Sequence, residues 1–184
     1  GQVESIPYGI HQDLLSGTAL DPSAPAPFSP IWQMDPVPED LTVVNFDMES
    51  NERFLVLEQY IDSHRIAGIS DVFDISEILG NAIEFNDGKP RSIAMHPIYK
   101  DFTTFSVVVG HYLAVVEWEN YFAGVLHDKA NGLIVVLKNS CNQAYTFSVH
   151  GHDSVFIGEG DLHDSQYNEY RRTAQLFDTA ESVR

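Results

Sequence analysis

The sequence is poor in cysteine and in basic residues. Cys141 is the single cysteine among 184 residues, so no disulfide can form within the chain. A buried structural thiol is the simplest role for Cys141, with an intermolecular disulfide or a reactive thiol as the alternatives. Lys and Arg number 10 against 27 Asp and Glu, a formal net charge of −17. Such a surface repels phosphates and anionic lipid headgroups, so neither nucleic acid nor a membrane surface is an expected partner.

Long apolar runs, targeting signals and catalytic motifs are also missing. No apolar run approaches the roughly 18 residues that cross a bilayer, and the chain starts Gly-Gln-Val without an initiator Met or a signal peptide. We therefore expect a processed product or an excised piece, with any membrane anchor of a parent protein outside it. The Gly-x-Ser-x-Gly, His-Glu-x-x-His and phosphate-loop patterns are absent, so the sequence supports neither catalysis nor a cofactor.

Proline is concentrated at the start of the chain. Residues 1–40 hold seven of the nine prolines. Because proline fixes the backbone and removes N–H donors, this segment is predicted to be an extended arm. Phe28, Ile31 and Trp32 are too apolar for a free linker, so we expect them to dock on the folded part.

Regular structure is predicted from residue 42 onwards. Phe54, Leu57 and Ile61 give residues 51–64 the spacing of an amphipathic helix. Residues 107–116 are apolar on both faces, which is typical of a central strand. The other strands are predicted at 42–46, 66–75, 92–99, 132–137, 144–149 and 155–157, and the other helices at 117–126 and 164–180, the last one capped by Asp164.

The order of these elements favours an α+β fold with antiparallel sheets, because several strands follow one another without a helix between them. Residues 128–132 form the least apolar stretch after the predicted central strand, so we place a boundary there. The predicted domains are the arm at 1–40, a first module at 41–127 and a second module with a closing helix at 128–184.

Histidines and carboxylates are concentrated in residues 150–164. Alternation along a strand end places His150 and His152 on one side, and Asp161 and His163 follow, so a divalent cation site is one interpretation. The other is a polar turn followed by a helix cap, in which aspartates accept backbone N–H groups. We adopt the second interpretation and predict no metal.

Two more histidines lie in apolar strands. His111 is in the middle of residues 107–116, and His96 is in the preceding strand. A hydrogen-bonded core residue is the commoner role for such a histidine, and a ligand contact is the alternative. Trp32, Trp118 and Tyr121 are likewise core side chains or, as the alternative, the lining of a cavity.

Five short segments occur in an order that resembles the CHASE domain family, which comprises extracellular sensor domains of receptor histidine kinases, nucleotide cyclases and related receptors. They are Ser29-Pro30-Ile31-Trp32-Gln33, Asn45-Phe46-Asp47, the helix around Arg53, His96-Pro97-Ile98-Tyr99, and Val109-Gly110 leading into Trp118. The likeness covers roughly residues 28–138. Residues 137–164 look most similar to ectodomains of receptor-type nucleotide cyclases of diatoms and related algae.

The resemblance implies two PAS-like modules, the first holding the ligand, with the proline-rich arm in place of the family's long stalk helix. Residues 31–35 match the stretch that supplies a polar ligand contact; Asp35 is the nearest match to the aspartate of cytokinin binders, and Gln33 is the alternative. The bulky Leu113 argues against cytokinin itself. Together with His111, the predicted ligand-binding residues are Trp32, Gln33, Asp35, Ser70, Met95 and Leu113.

We therefore expect a non-catalytic extracellular module that binds a small molecule and passes the change to a membrane receptor, whose output could be a nucleotide cyclase. PAS-like sensors commonly pair, which leaves a homodimer open. Two alternatives remain. One is a structural or interaction protein that reuses the fold without a ligand, and the other is a metal-dependent enzyme built on residues 150–164.

Overall fold

The computed structural model describes residues 10–12, 28–38, 41–79, 87–101, 103 and 105–175. The chain divides into two compact units that interleave along the sequence. The first unit comprises residues 1–70, 74–88 and 94–114, and the second comprises residues 71–73, 89–93 and 115–184. The predicted boundary at 127–128 lies between the strands of the two sheets, whereas the compact units change over after residue 114.

Two three-stranded antiparallel sheets and short helices give the chain the α+β class that the sequence predicts. The first sheet has the order β1-β2-β3 and the second has the order β4-β5-β6. In the described residues the elements are α1 (Glu52–His64), β1 (Gly68–Ile69), α2 (Ser76–Leu79), β2 (Arg91–Tyr99), β3 (Val108–Glu117), α3 (Trp118–Phe122), β4 (Leu133–Lys138), β5 (Ala144–His150) and β6 (Asp153–Glu159).

In the first unit, the backbone of residues 45–48 bonds to two separate pieces of the arm. His11 N–H donates to the Asn45 carbonyl at 3.1 Å, and Ile31 N–H donates to the Phe46 carbonyl at 3.0 Å. The strand predicted at 42–46 is wrong at its start, because Leu41–Val43 form a 3₁₀ turn and only isolated bridges follow. The docking expected of Trp32 is also wrong, since its side chain is 83% exposed.

Helix α1 confirms the prediction at 51–64 and has recognisable ends. The Asn51 side chain accepts a hydrogen bond from Arg53 N–H at 3.0 Å, which caps the first turn. The helix ends at His64, and the left-handed backbone of Arg65 after it closes the last turn. Phe54, Leu57 and Ile61 are buried along one face, as their spacing predicts.

Strand β3 differs from its predicted place. It stands at the end of the β1-β2-β3 order, and β2 is the central strand of this sheet. No apolar residue of β3 is buried, and Val109 and Tyr112 are 60% and 65% exposed, so its apolar residues are not covered on both faces as those of a central strand would be. The strand predicted at 66–75 is correspondingly shorter: Gly68–Ile69 form β1 and pair with β2, and beyond them Phe73 makes an isolated bridge to Arg91.

The second unit is built on the β4-β5-β6 meander, and its three strands confirm the prediction. Phe147 of β5 is fully buried, with its ring centroid 5.1 Å from that of Phe122 and 5.5 Å from that of Phe156. Helix α3 ends at Phe122, so the prediction of a helix to residue 126 is too long.

The closing helix predicted at 164–180 is also wrong in length. Asp164 does accept the N–H of Gln166 at 3.0 Å, as a cap should, but only the 3₁₀ turn Ser165–Tyr170 follows. No residue of that turn is buried, so no apolar face holds a longer helix in place. Residues 176–180 of the predicted helix, and the densest proline stretch at 21–27, lie outside the described residues.

Candidate functional site

The most concentrated group of ionisable side chains in the first unit joins helix α1 to strand β3. His111 of β3 lies between two carboxylates of α1, with Nδ1 3.1 Å from Glu58 Oε1 and Nε2 2.9 Å from Asp62 Oδ1. We call Glu58, Asp62 and His111 the His111 cluster. In the part of the chain that the structure describes, it is the group in which three His, Cys, Asp or Glu ligand atoms lie within 4.8 Å of one another.

The sequence of α1 explains why the two carboxylates point the same way. Glu58 and Asp62 are four residues apart, so they lie one above the other on a helix. Each directly follows a buried residue, Leu57 or Ile61, which places the acidic pair at the border of the buried face. The side chains of Glu58 and His111 are 12% and 8% exposed, whereas that of Asp62 is 45% exposed. The cluster is therefore closed at Glu58 and open to solvent at Asp62.

The two contacts of His111 require a charged imidazole. Each ring nitrogen faces a carboxylate oxygen, and only an imidazolium can donate from both nitrogens at once. Burial alone would lower the pKa of His111, but hydrogen bonds to Glu58 and Asp62 outweigh burial, and the pKa is raised. For Glu58, burial would raise the pKa, but hydrogen bonds from His111 and Ser29 lower it on balance.

A further carboxylate lies behind the cluster. The Ser29 hydroxyl donates to Glu58 Oε1 at 2.6 Å and lies 3.1 Å from Glu49 Oε1. Burial raises the pKa of Glu49, and repulsion from Glu58, Asp47 and Asp62 adds to the rise, against a hydrogen bond from Ser29. Ser29 thus connects the cluster to Glu49. The groups that shift the pKa of Glu49 include no cation.

Of the predicted ligand-binding residues, His111 is the one that the structure places in this cluster. Sequence reasoning missed Glu58 and Asp62, although an acidic pair at helical spacing beside a buried stripe was a usable signal. Ligand binding by the other predicted residues stays a prediction. The structure shows only how exposed their side chains are. Trp32, Gln33 and Asp35 are exposed, Ser70 and Leu113 are half-buried, and Met95 is buried in β2.

The histidines and acids of residues 150–164 have separate partners. His150 contacts the Ser148 hydroxyl at 2.7 Å, and His152 pairs with Asp128. Asp161 contacts His163 and accepts a 2.5 Å hydrogen bond from Lys138. The hydrogen bonds from Lys138 and His163 hold the pKa of Asp161 well below its usual range. These side chains form pairs, and within the described residues they do not converge as a metal site would require.

A second charged group, which the sequence did not predict, lies in the second unit. Lys89 Nζ is 3.0 Å from Glu119 Oε1, and Arg91 Nη2 is 3.0 Å from Glu117 Oε2. Glu119 also accepts the backbone N–H of Phe156 at 3.0 Å. This network, which we call the Lys89 network, pairs two cations with two carboxylates and ties the start of β2 to α3 and β6.

Comparison of the chain with protein-family models, with curated proteins and with solved structures finds no match. Among the described residues, none of the helices has the length and apolar character needed to cross a membrane.

Proposed function

We propose that the chain is a non-catalytic, extracellular ligand-sensing module of a membrane receptor and that its first unit binds a small cationic ligand at the His111 cluster. The CHASE-like order of segments supports the sensor class. The observation that carries the site is the position of His111 between Glu58 and Asp62, with Glu49 behind them.

The charge of the cluster determines the class of ligand. Glu58 and Asp62 share the positive charge of His111, and Glu49 behind them adds a third carboxylate that both of them repel. Partly buried carboxylates in excess attract a cation more strongly than exposed ones, because water screens them less. The exposed side of Asp62 provides the approach for such a ligand.

A sensing module should hold its ligand without converting it. The contacts of the cluster are His-to-carboxylate and Ser-to-carboxylate hydrogen bonds, and in this proposal the Ser29 hydroxyl, 2.6 Å from Glu58 Oε1, orients that carboxylate. The proposed role is therefore recognition. Ligand binding would change the contact between α1 and β3, and a receptor could transmit that change.

The test is a thermal-shift screen of the 184-residue chain against small organic amines and guanidines, with neutral analogues of the same shape beside them. A ligand that binds only the folded state raises the Tm, and above its Kd the stabilisation grows with the logarithm of the ligand concentration. We expect a cationic compound to raise the Tm of the wild type and to lose that effect in D62N. The matched control is D161N, which removes a carboxylate of the second unit and should leave the shift unchanged.

Two results would contradict the proposal. One is an equal shift with the cationic compound and its neutral analogue. The other is an equal shift in the wild type and D62N, which would indicate attraction to the net charge of −17 in general. Recovery of the compound as an altered product after incubation would contradict the non-catalytic role.

A further inference from the structure

We propose that the ligand of the His111 cluster is a divalent transition-metal cation, held by the imidazole of His111 and the carboxylates of Glu58 and Asp62. This inference rests on the proposed function, because it names the class of cation that the same cluster binds. The juxtaposition that carries it is the imidazole of His111 on β3 beside the carboxylates of Glu58 and Asp62 on α1, with one ligand atom from each residue within 4.8 Å of the others.

The spacing of the ligand atoms is close to that of a metal site. A bound Zn²⁺ lies about 2.0–2.2 Å from His nitrogen and carboxylate oxygen, so its ligand atoms stand roughly 3–4 Å apart. In the His111 cluster the three ligand atoms lie within 4.8 Å of one another. An ion binds one imidazole nitrogen, so the carboxylate that contacts the other nitrogen would rotate towards the ion.

The type of ligand atom favours transition metals over Mg²⁺ and Ca²⁺. Mg²⁺ and Ca²⁺ prefer sites made only of oxygen atoms, and a site for either would gain nothing from His111. One imidazole with two carboxylates suits Zn²⁺, Mn²⁺ or Fe²⁺. Three protein ligands also leave positions for water or for a further ligand on the exposed side of Asp62.

The surroundings of the cluster supply the support that metal ligands usually have. Ser29 donates to Glu58 Oε1 at 2.6 Å, and such outer hydrogen bonds fix the orientation of a ligating carboxylate. The charge also balances better with a metal. An ion of charge +2 with neutral His111 offsets both Glu58 and Asp62, whereas the imidazolium offsets only one of them.

The experiment is isothermal titration calorimetry on the full 184-residue chain after removal of metals with a chelator. Zn²⁺, Mn²⁺ and Mg²⁺ are titrated separately into the wild type, H111N, D62N and a control double variant, D161N/H163N. The control removes the contacting Asp161–His163 pair of the second unit, and it measures weak binding by the rest of the acidic surface. Co²⁺ gives a second readout, because its visible spectrum reports the ligands directly.

We expect one Zn²⁺ or Mn²⁺ per chain in the wild type and in the control, with binding weakened at least tenfold in H111N and D62N. Mg²⁺ should bind at least tenfold more weakly than Zn²⁺. Since H111N could disturb folding, circular dichroism is recorded for each variant, and D62N at the exposed side decides the matter if H111N unfolds.

Several results would overturn the inference: no saturable binding by the wild type, equal affinity in the wild type and D62N, or loss of binding in the control alone. The amine screen separates this failure from failure of the proposed function. Organic cations that require Asp62, without metal binding, would refute the metal and leave cation sensing in place. Failure of both arms would refute both proposals.

Discussion

Removal of His111 should destabilise the first unit mainly through Glu58, because the two contacts of His111 differ in exposure. A hydrogen bond to a charged group contributes about 1.5–3 kcal/mol to stability, whereas an exposed ion pair contributes about 0.2–1 kcal/mol. Glu58 is 12% exposed and Asp62 is 45% exposed. We therefore expect a coupling free energy of about 1.5–3 kcal/mol between Glu58 and His111, and of about 0.2–1 kcal/mol between Asp62 and His111.

The assay is a pair of double-mutant cycles, combining H111Q with E58Q and with D62N. Unfolding in urea is followed by circular dichroism at pH 6 with a chelator present, so that bound metal contributes nothing. The cycles are interpreted only where the denaturant slope is the same in all variants, since a changed slope signals a change in the unfolded state or an intermediate. A coupling with Glu58 that is no larger than the coupling with Asp62 would refute the reasoning from burial.

Three other predictions concern packing, a side-chain link and a titration. G68A should lower the free energy of unfolding by about 1–3 kcal/mol, because the added methyl would lie 3.1 Å from side-chain atoms of the buried Leu57 and Ile61 of α1. An unchanged free energy of unfolding in urea would contradict this prediction. Q143L should speed hydrogen exchange at the Val72 amide, since the Gln143 side chain accepts from Val72 N–H at 3.0 Å and donates to the Val72 carbonyl at 2.8 Å. Equal exchange rates in Q143L and the wild type would refute this prediction. The pKa of His163 is raised by its hydrogen bond to Asp161, so its NMR titration should shift downwards in D161N, and identical midpoints would show that the pair does not form in solution.

The elements that the sequence predicts well are those whose own pattern accounts for their burial. Residues 51–64 carry an apolar stripe and a capping residue, and they form α1 with almost the predicted bounds. The strands of the second sheet are short runs rich in β-branched and aromatic residues, and turn residues separate these runs. This pattern is sufficient to place the three strands. Residues 164–170 carry the cap but no apolar face, so a local signal alone overestimated the helix.

The candidate site could be predicted only in part, because its ligands come from two elements that are distant in the sequence. His111 stood out as a histidine within an apolar strand. Its contact with Asp62 spans 49 positions, and only the packing of α1 beside β3 brings the two together. The spacing of Glu58 and Asp62 beside the buried stripe of α1 was a usable signal, but an acidic pair on a helix is commonly a solvated face, and only the packing against β3 distinguishes this pair from other carboxylates.

The balance of charges across the described residues explains why the His111 cluster is the place to look for a bound cation. In the Lys89 network two carboxylates face two basic side chains. Asp161 is likewise matched, by both a lysine and a histidine. At the His111 cluster the proportion is reversed, because Glu58 and Asp62 share one imidazolium and Glu49 behind them adds a carboxylate. The excess negative charge there is partly buried, so its free energy falls when a cation enters, and this gain is larger than at an exposed acidic surface of the same charge.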